Sequence, residues 1–293
     1  MTDPSSLQVL VEASSTSSSS TASPVLTPNS TGLQMNVPGP PDCQGDSNWR
    51  RIASYSAWYL FVLCLAPPLI ALFADFIIGF AVDYDQLLNY EWTCGKAYLP
   101  SVSRIVNLPK ERTVFHLGSL GSITFRCFIV IYYYRLARRL SISRGSRIWR
   151  RFVAPAILLS GLGELVFQVA ITVVGEREHG DFHMYFFISF TLCAVAYFLL
   201  ITIVTRYRPN YGDSALLQAS FRLKLLLLVM TVLLIPTIGT FFVLYWGYCV
   251  TFAYNAFALS EYVTILAIFG FHSTAMLDLK HLHFAFIVPK RNN

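Results

Sequence analysis

Three ionisable residues stand inside long apolar sequence: Arg126, Glu164 and Glu261. A charge at mid-bilayer costs about 2.5–3.5 kcal/mol on insertion scales, so such residues face the interior of a bundle and mark function. One reading of the three is a structural ion cluster, with the arginine neutralising both carboxylates and pinning three helices. The other is a polar pocket that binds a charged lipid headgroup or performs acid–base chemistry. Helix rise puts Arg126 and Glu261 each about 13 Å inside their apolar stretches, and Glu164 about 12 Å from the matching end of its own. The expectation is therefore a cluster at one depth. Gln168 follows Glu164 by four residues and shares its face.

Histidines are the other groups able to move a proton. His116 and His183 fall near the ends of the second and fourth stretches, on the side that carries fewer basic residues. His272 lies on the same helical face as Glu261, but eleven residues on, about 16 Å along the axis. The two cannot form a direct dyad, and a lone transmembrane histidine is ordinarily a packing residue. His272 and Asp278 are separated by five residues, which does not match a His-x4-Asp acyltransferase pattern. His281 and His283 lack further ligands nearby. No zinc spacing, Gly-rich phosphate loop, Gly-x-Ser-x-Gly elbow or nucleic-acid module is present, so no metal, cofactor or nucleic-acid partner is expected.

The elements that must position these groups are six apolar stretches, residues 57–80, 117–134, 152–174, 184–205, 223–245 and 252–277. Each holds about 18–25 residues, and about 20 suffice to cross a hydrocarbon core of about 30 Å. A helix apolar on every face for that length is a membrane span. Composition agrees: of 293 residues 55% are hydrophobic and only 13% charged, so the net charge of +6 does not point to nucleic acid.

Basic residues sort by loop. Arg50 and Arg51 precede the first stretch. Arg135, Arg138, Arg139, Arg144, Arg147, Arg150 and Arg151 fill the second connection, Arg206, Arg208, Arg222 and Lys224 the fourth, and Lys280, Lys290 and Arg291 the C-terminal end. The other side holds Lys96, Arg104, Lys110, Arg112 and Arg177. The positive-inside rule then places both termini in the cytosol, as an even number of spans requires. The basic second connection fixes topology or meets anionic lipid.

Residues 1–48 are rich in Ser, Thr and Pro and read as a disordered cytosolic tail. It shows no secretory h-region, so the first span is expected to act as signal anchor. Of six cysteines, Cys64, Cys127 and Cys193 lie within spans and Cys43 in the tail. Cys94 and Cys249 fall in luminal loops, where a disulfide can persist; two free thiols are the alternative.

Three segments carry a resemblance: Cys94-Gly95 with Tyr98-Leu99-Pro100-Ser101-Val102-Ser103; Arg112 with Arg126; and Tyr248-Cys249 with Phe257-Ala258-Leu259-Ser260-Glu261-Tyr262, Phe271-His272 and Asp278. Together they resemble the post-GPI-attachment-to-proteins factor two family, within the superfamily that includes the DRAM autophagy modulators. Glu164 and His183 also stand at matching places. The resemblance implies a multipass Golgi or endoplasmic-reticulum protein that reacylates lyso-GPI anchors at sn-2 with a saturated chain, or supports that step. Its partners would be GPI-anchored proteins or GPI lipid and an acyl donor lipid. If the protein is catalytic, it is an acyltransferase. Arg126, His116 and Arg112 would bind substrate, and Glu261, Glu164 and His183 would carry the acid–base work. Two positions depart from the family pattern: Ser122 stands for a His, and Leu244-Tyr245 for an Arg-His pair. These departures imply altered or lost activity in a paralogue. The alternative is a non-enzymatic lipid-binding or autophagy-regulating protein of the DRAM type.

The expected architecture is all-α: a polytopic six-transmembrane-helix bundle over residues 49–280, with the disordered tail 1–48 and a short cytosolic tail 281–293.

Overall fold

The computed structural model describes residues 8–13, 49–88, 92, 94–143, 145, 147, 149–209, 211–280 and 282–289. They divide into two units, residues 58–279 and a smaller one formed by 1–57 with 280–293.

The larger unit is helical. It comprises α1 (Ala57–Ala81), α2 (Tyr84–Leu88), α3 (Val102–Ile105), α4 (Pro109–Ser143), α5 (Ala154–Val173), α6 (Gly180–Arg206), α7 (Ala215–Tyr248), α8 (Thr251–Ser273) and α9 (Ala275–Leu279). A π-helical turn at Trp149–Val153 leads into α5. Among the described residues, six helices are long and apolar enough to cross a membrane: α1, α4, α5, α6, α7 and α8 with α9. The six-span bundle is as the apolar stretches predict.

Hydrocarbon offers no hydrogen bonds, so the backbone must satisfy itself, and a helix does so. Hydroxyls follow the same rule. Thr191, Thr202, Thr205 and Thr231 each donate to the carbonyl four residues back. In the packing, α5 lies against α4 and α6, and α7 against α6 and α8. Gly118 lets α4 approach α1 closely. A Cβ there would sit 2.5 Å from Ala71 Cβ and 2.7 Å from the Pro67 carbonyl oxygen.

Two helices extend further than their apolar cores suggest. Because α4 begins at Pro109, Arg126 lies seventeen residues into it, about 25 Å by helix rise. Because α7 begins at Ala215, capped by Ser214 accepting from the Leu217 N–H, Arg222 and Lys224 are helical rather than loop residues. Lys224 is fully buried. Its Nζ donates to Asp278 Oδ2 at 2.9 Å and to Ser220 Oγ at 2.6 Å. Asp278 also accepts from Tyr133 (2.6 Å) and Ser220 (2.8 Å), tying α4, α7 and α9 together. Lys224 is therefore a buried, paired helix residue rather than a loop charge, because its helix continues past the apolar segment and a carboxylate meets it there.

The smaller unit holds three antiparallel strands, β1 (Gln8–Ala13), β2 (Trp49–Ser56) and β3 (Leu282–Pro289), in the order β1-β3-β2. Gln8 pairs with Ile287 and Trp49 with Pro289, with a register shift between Arg51 and Ala53. β1 and β3 fall in segments that the sequence reading assigns to tails, and β2 at the start of the segment assigned to the helical domain; Val, Ile and Phe favour the pleat locally. Most of the 1–48 segment, including the Ser-rich run, lies outside the described residues.

Candidate functional site

The segment from Cys94 to Ile105 is bound along the first turns of α8. It opens with Gly95 at φ +93°, a left-handed value that glycine adopts without penalty. Asn255 Oδ1 accepts from the N–H groups of Tyr98 (3.1 Å) and Leu99 (3.0 Å). Tyr262 O–H donates to the Pro100 carbonyl, and Tyr254 O–H donates to Ser101 Oγ at 3.3 Å. Arg104 is buried between the rings of Trp92 and Tyr254, 4.5 and 5.3 Å from their centroids. A disulfide joins Cys94 to Cys249, which ends α7 in a left-handed conformation at φ 53°. The block that carried the resemblance thus has the backbone donors of Tyr98 and Leu99 met by a side chain of α8.

Glu261 continues that pattern. Its Oε2 accepts from the Val102 N–H at 2.8 Å, and its Oε1 from Ser103 Oγ at 3.2 Å. His183 reaches the same hydroxyl from α6, with Nε2 3.2 Å from Ser103 Oγ. Its Nδ1 lies 2.7 Å from the Val174 carbonyl oxygen. That oxygen can only accept, so Nδ1 carries the hydrogen, and in the neutral ring Nε2 is an acceptor.

The second polar group is further along α8. Arg126 Nη2 donates to Glu164 Oε1 at 2.5 Å, and Nη1 donates to Gln168 Oε1. His272 Nε2 stands 2.8 Å from the same Glu164 oxygen and 2.9 Å from Arg126 Nη2. Glu164 is 1% exposed and Arg126 9%. An ion pair this buried must be held by further hydrogen bonds to be tolerated, and Gln168 and His272 provide them.

One cavity of about 140 Å³ connects the two groups. Arg126, Gln168 and His272 line one part of it, and Ser103, His183 and Glu261 another. Leu72, Val106, Phe187, Phe190, Ile265 and Ile268 supply apolar wall. Among the described residues no group of three or more His, Cys, Asp or Glu is placed to hold a metal ion.

Of the candidates read from sequence, Arg126, His183 and Glu261 share this cavity, and Glu164 braces Arg126. The single-depth expectation is corrected. Glu261 bonds Val102 and Ser103 rather than Arg126, because α4 starts earlier than its apolar core and carries Arg126 deeper. His116 does not line the cavity; its Nε2 lies 2.7 Å from the Thr172 carbonyl oxygen. Arg112 is also outside, donating to Glu178 at 2.6 and 3.0 Å and to the Val173 carbonyl at 2.8 Å. That partner holds the Glu178 carboxyl below the usual range. Sequence reasoning missed Ser103 and set His272 aside as packing. The shared face of Glu261 and His272 was the available signal for the latter; nothing local marks one serine among many.

The profile described as Frag1/DRAM/Sfk1/Cwh43P N-terminal domain matches residues 56–282. A Drosophila melanogaster protein named post-GPI attachment to proteins factor 2-like is 26% identical over 80% of this chain and 73% of its own length. The Caenorhabditis elegans post-GPI attachment to proteins factor 2 is 28% identical over 74% of this chain and 84% of its own. A Xenopus tropicalis protein named acyltransferase PGAP2 is 28% identical over 69% of this chain and 82% of its own. No solved structure matches.

Proposed function

The chain belongs to the Frag1/DRAM/Sfk1/Cwh43P N-terminal domain family, and from that premise we propose that it remodels the lipid of GPI anchors, transferring a saturated acyl group to the free sn-2 hydroxyl of a lyso-form. The observation that carries this reading is the single cavity with a guanidinium in one polar group, a carboxylate–serine–histidine set in the other, and apolar wall between. A phosphorylated lipid with a free hydroxyl and one remaining acyl tail offers a group to each: phosphate to the guanidinium, hydroxyl to the carboxylate–serine–histidine set, and hydrocarbon to the apolar wall. The names of the matched relatives agree with it.

In this reading Arg126 meets the inositol phosphate, since its planar fork suits phosphate oxygens. Glu164, Gln168 and His272 hold it in place. Glu261 and His183 serve the proton transfer at the hydroxyl end, a contribution of about 100- to 10,000-fold for a positioned acid–base group. The partners are a GPI lipid or GPI-anchored protein and an acyl donor lipid. The setting is a Golgi or endoplasmic-reticulum membrane with both termini cytosolic. The Cys94–Cys249 bridge supports a luminal position for that end of the bundle, because disulfides persist in oxidising compartments.

The test is mass spectrometry of GPI-anchor lipids from cells that lack reacylation, with this protein re-expressed or omitted. Restoration of a saturated sn-2 chain is the expected result. No restoration, at normal abundance and Golgi localisation, overturns the reading.

A second reading, lipid binding without chemistry, is favoured by the two departures. Ser122 is buried and donates to the Ser119 carbonyl, and Tyr245 packs among Trp246 and Tyr254, so neither position supplies a charge. Under it, lyso-lipid binds the purified protein but no acyl group is transferred.

A further inference from the structure

We propose that Ser103 is the nucleophile of a two-step transfer, carrying the acyl group as a serine ester between donor and acceptor; this rests on the acyl-transfer reading above. Ser103 Oγ is 3.2 Å from Glu261 Oε1 and 3.2 Å from His183 Nε2. Rotation about the serine Cβ–Oγ bond moves its hydrogen from the carboxylate to the imidazole. The hydroxyl thus has a base within reach, and the base is oriented by a third group, the Val174 carbonyl at 2.7 Å from Nδ1. That is the arrangement of an activated nucleophile.

The serine itself is fixed. Asn107 Nδ2 donates to its carbonyl at 2.5 Å, and the neighbouring Val102 N–H is bound to the other oxygen of Glu261 at 2.8 Å. Its partners, a carboxylate and an imidazole from other elements, set it apart from serines that bond only their own helix. Ser160, Ser260 and Ser273 each donate to a carbonyl four residues back in their own helix.

One feature argues for a covalent intermediate over direct transfer. His183 Nε2 and Glu261 Oε1 both face Ser103 Oγ, which occupies the place an acceptor hydroxyl would need in a one-step reaction.

The chemistry balances. In the first half, His183 Nε2 takes the Ser103 proton as Oγ attacks the carbonyl carbon of an acyl ester or thioester. An Oγ–C bond forms, the donor's C–O or C–S bond breaks, and Nε2 returns the proton to the departing alcohol or thiol. In the second half, the acceptor hydroxyl gives its proton to Nε2 and its oxygen attacks the serine ester. Ser103 Oγ leaves and recovers the proton. Nothing is oxidised or reduced.

The experiment uses the purified full-length protein with an alkyne-tagged palmitoyl group presented either on phosphatidylcholine or on coenzyme A, first without acceptor and then with lysophosphatidylinositol. The expected result is label on the peptide containing Ser103, discharged to the acceptor on chase. The donor that charges the protein identifies which of the two supplies the acyl group. Ser103→Ala takes up no label. Ser103→Cys takes up label that neutral hydroxylamine removes, as it does a thioester; this variant keeps the test informative should the alanine variant misfold. Transfer to lysophosphatidylinositol without label on the wild-type protein or on Ser103→Cys, or wild-type transfer by Ser103→Ala, overturns the inference and leaves the acyl-transfer reading standing. Label on neither protein nor acceptor, from either donor, overturns both.

Discussion

Glu261 and His272 face one cavity from the same side of α8, eleven residues and about 16 Å apart. The helix thus carries one residue of each polar group, and the distance between them is set by helix rise alone. The two groups can be tested separately.

Glu261→Gln keeps an acceptor for the Val102 N–H and removes the negative charge beside Ser103. Anchor remodelling is expected to fall by about 100-fold or more, with abundance near that of the wild type. Lipid analysis beside quantitative blotting checks this. Loss of abundance in step with activity would instead make Glu261 a structural anchor of its loop.

Lys224→Ala leaves the Asp278 carboxylate buried without its main counter-charge. Removing one partner of a buried pair costs about 3–5 kcal/mol, so the midpoint of thermal unfolding in detergent should drop sharply. The double variant Lys224→Met with Asp278→Leu should be more stable than either single change, because neither member of the fully buried pair is then left without the other; the partly exposed Arg208, 3.5 Å from Asp278, is the charge that loses a partner.

Cys94→Ser and Cys249→Ser each remove the same bond. Each should cost about 2–4 kcal/mol. The double variant should cost no more than one of them, since coupled residues are not additive. Unfolding with and without reductant gives the comparison, and reductant should bring the wild type down to the variants.

Gly118→Leu should lower stability, because even a Cβ meets Ala71 and the Pro67 carbonyl. Adding Ala71→Gly to Gly118→Ala should restore only part of the loss. It removes the overlap of the two Cβ atoms but leaves the carbonyl 2.7 Å away. Thermal unfolding of the single and double variants reads this directly.

Glu178 predicts a small pH effect. Its carboxyl titrates lower when folded than when unfolded, because Arg112 bonds to its charged form. Its contribution is therefore present above the unfolded value and is lost as pH falls through the folded one. Glu178→Gln should be slightly less stable than wild type at neutral pH and equal to it in acid. Unfolding midpoints measured across that range decide it; a gap that persists in acid would exclude the ion pair as its source.

The six spans were legible because bilayer thickness imposes a length on any apolar helix, and that length is written in consecutive residues. Arg126 and Glu164 could be paired from depth because each is a charge that hydrocarbon will not accept alone. Depth failed for Glu261 because the polar first turns of α4, from Pro109 to His116, do not look like a span and yet are helical. Lys224 misled for the same reason at the start of α7. Ser103 was beyond reach: its partners lie 80 and 158 residues away, and only the folded protein brings a hydroxyl between a carboxylate and an imidazole.

The dependence of the Cys94–Ile105 segment on α8 bears on how the protein is made. Synthesis runs from the N-terminus, so Ser103, Arg126, Glu164 and His183 all exist before Asn255, Glu261 and His272 leave the ribosome. Until α8 is inserted, the donors of Tyr98, Leu99 and Val102 lack the side-chain acceptors they have in the folded protein, although Cys249, at the end of α7, is already made. Insertion of that helix closes the loop and completes the cavity in one event. Nascent polypeptides halted before it hold most of the polar residues and both cysteines of the bridge, but no site.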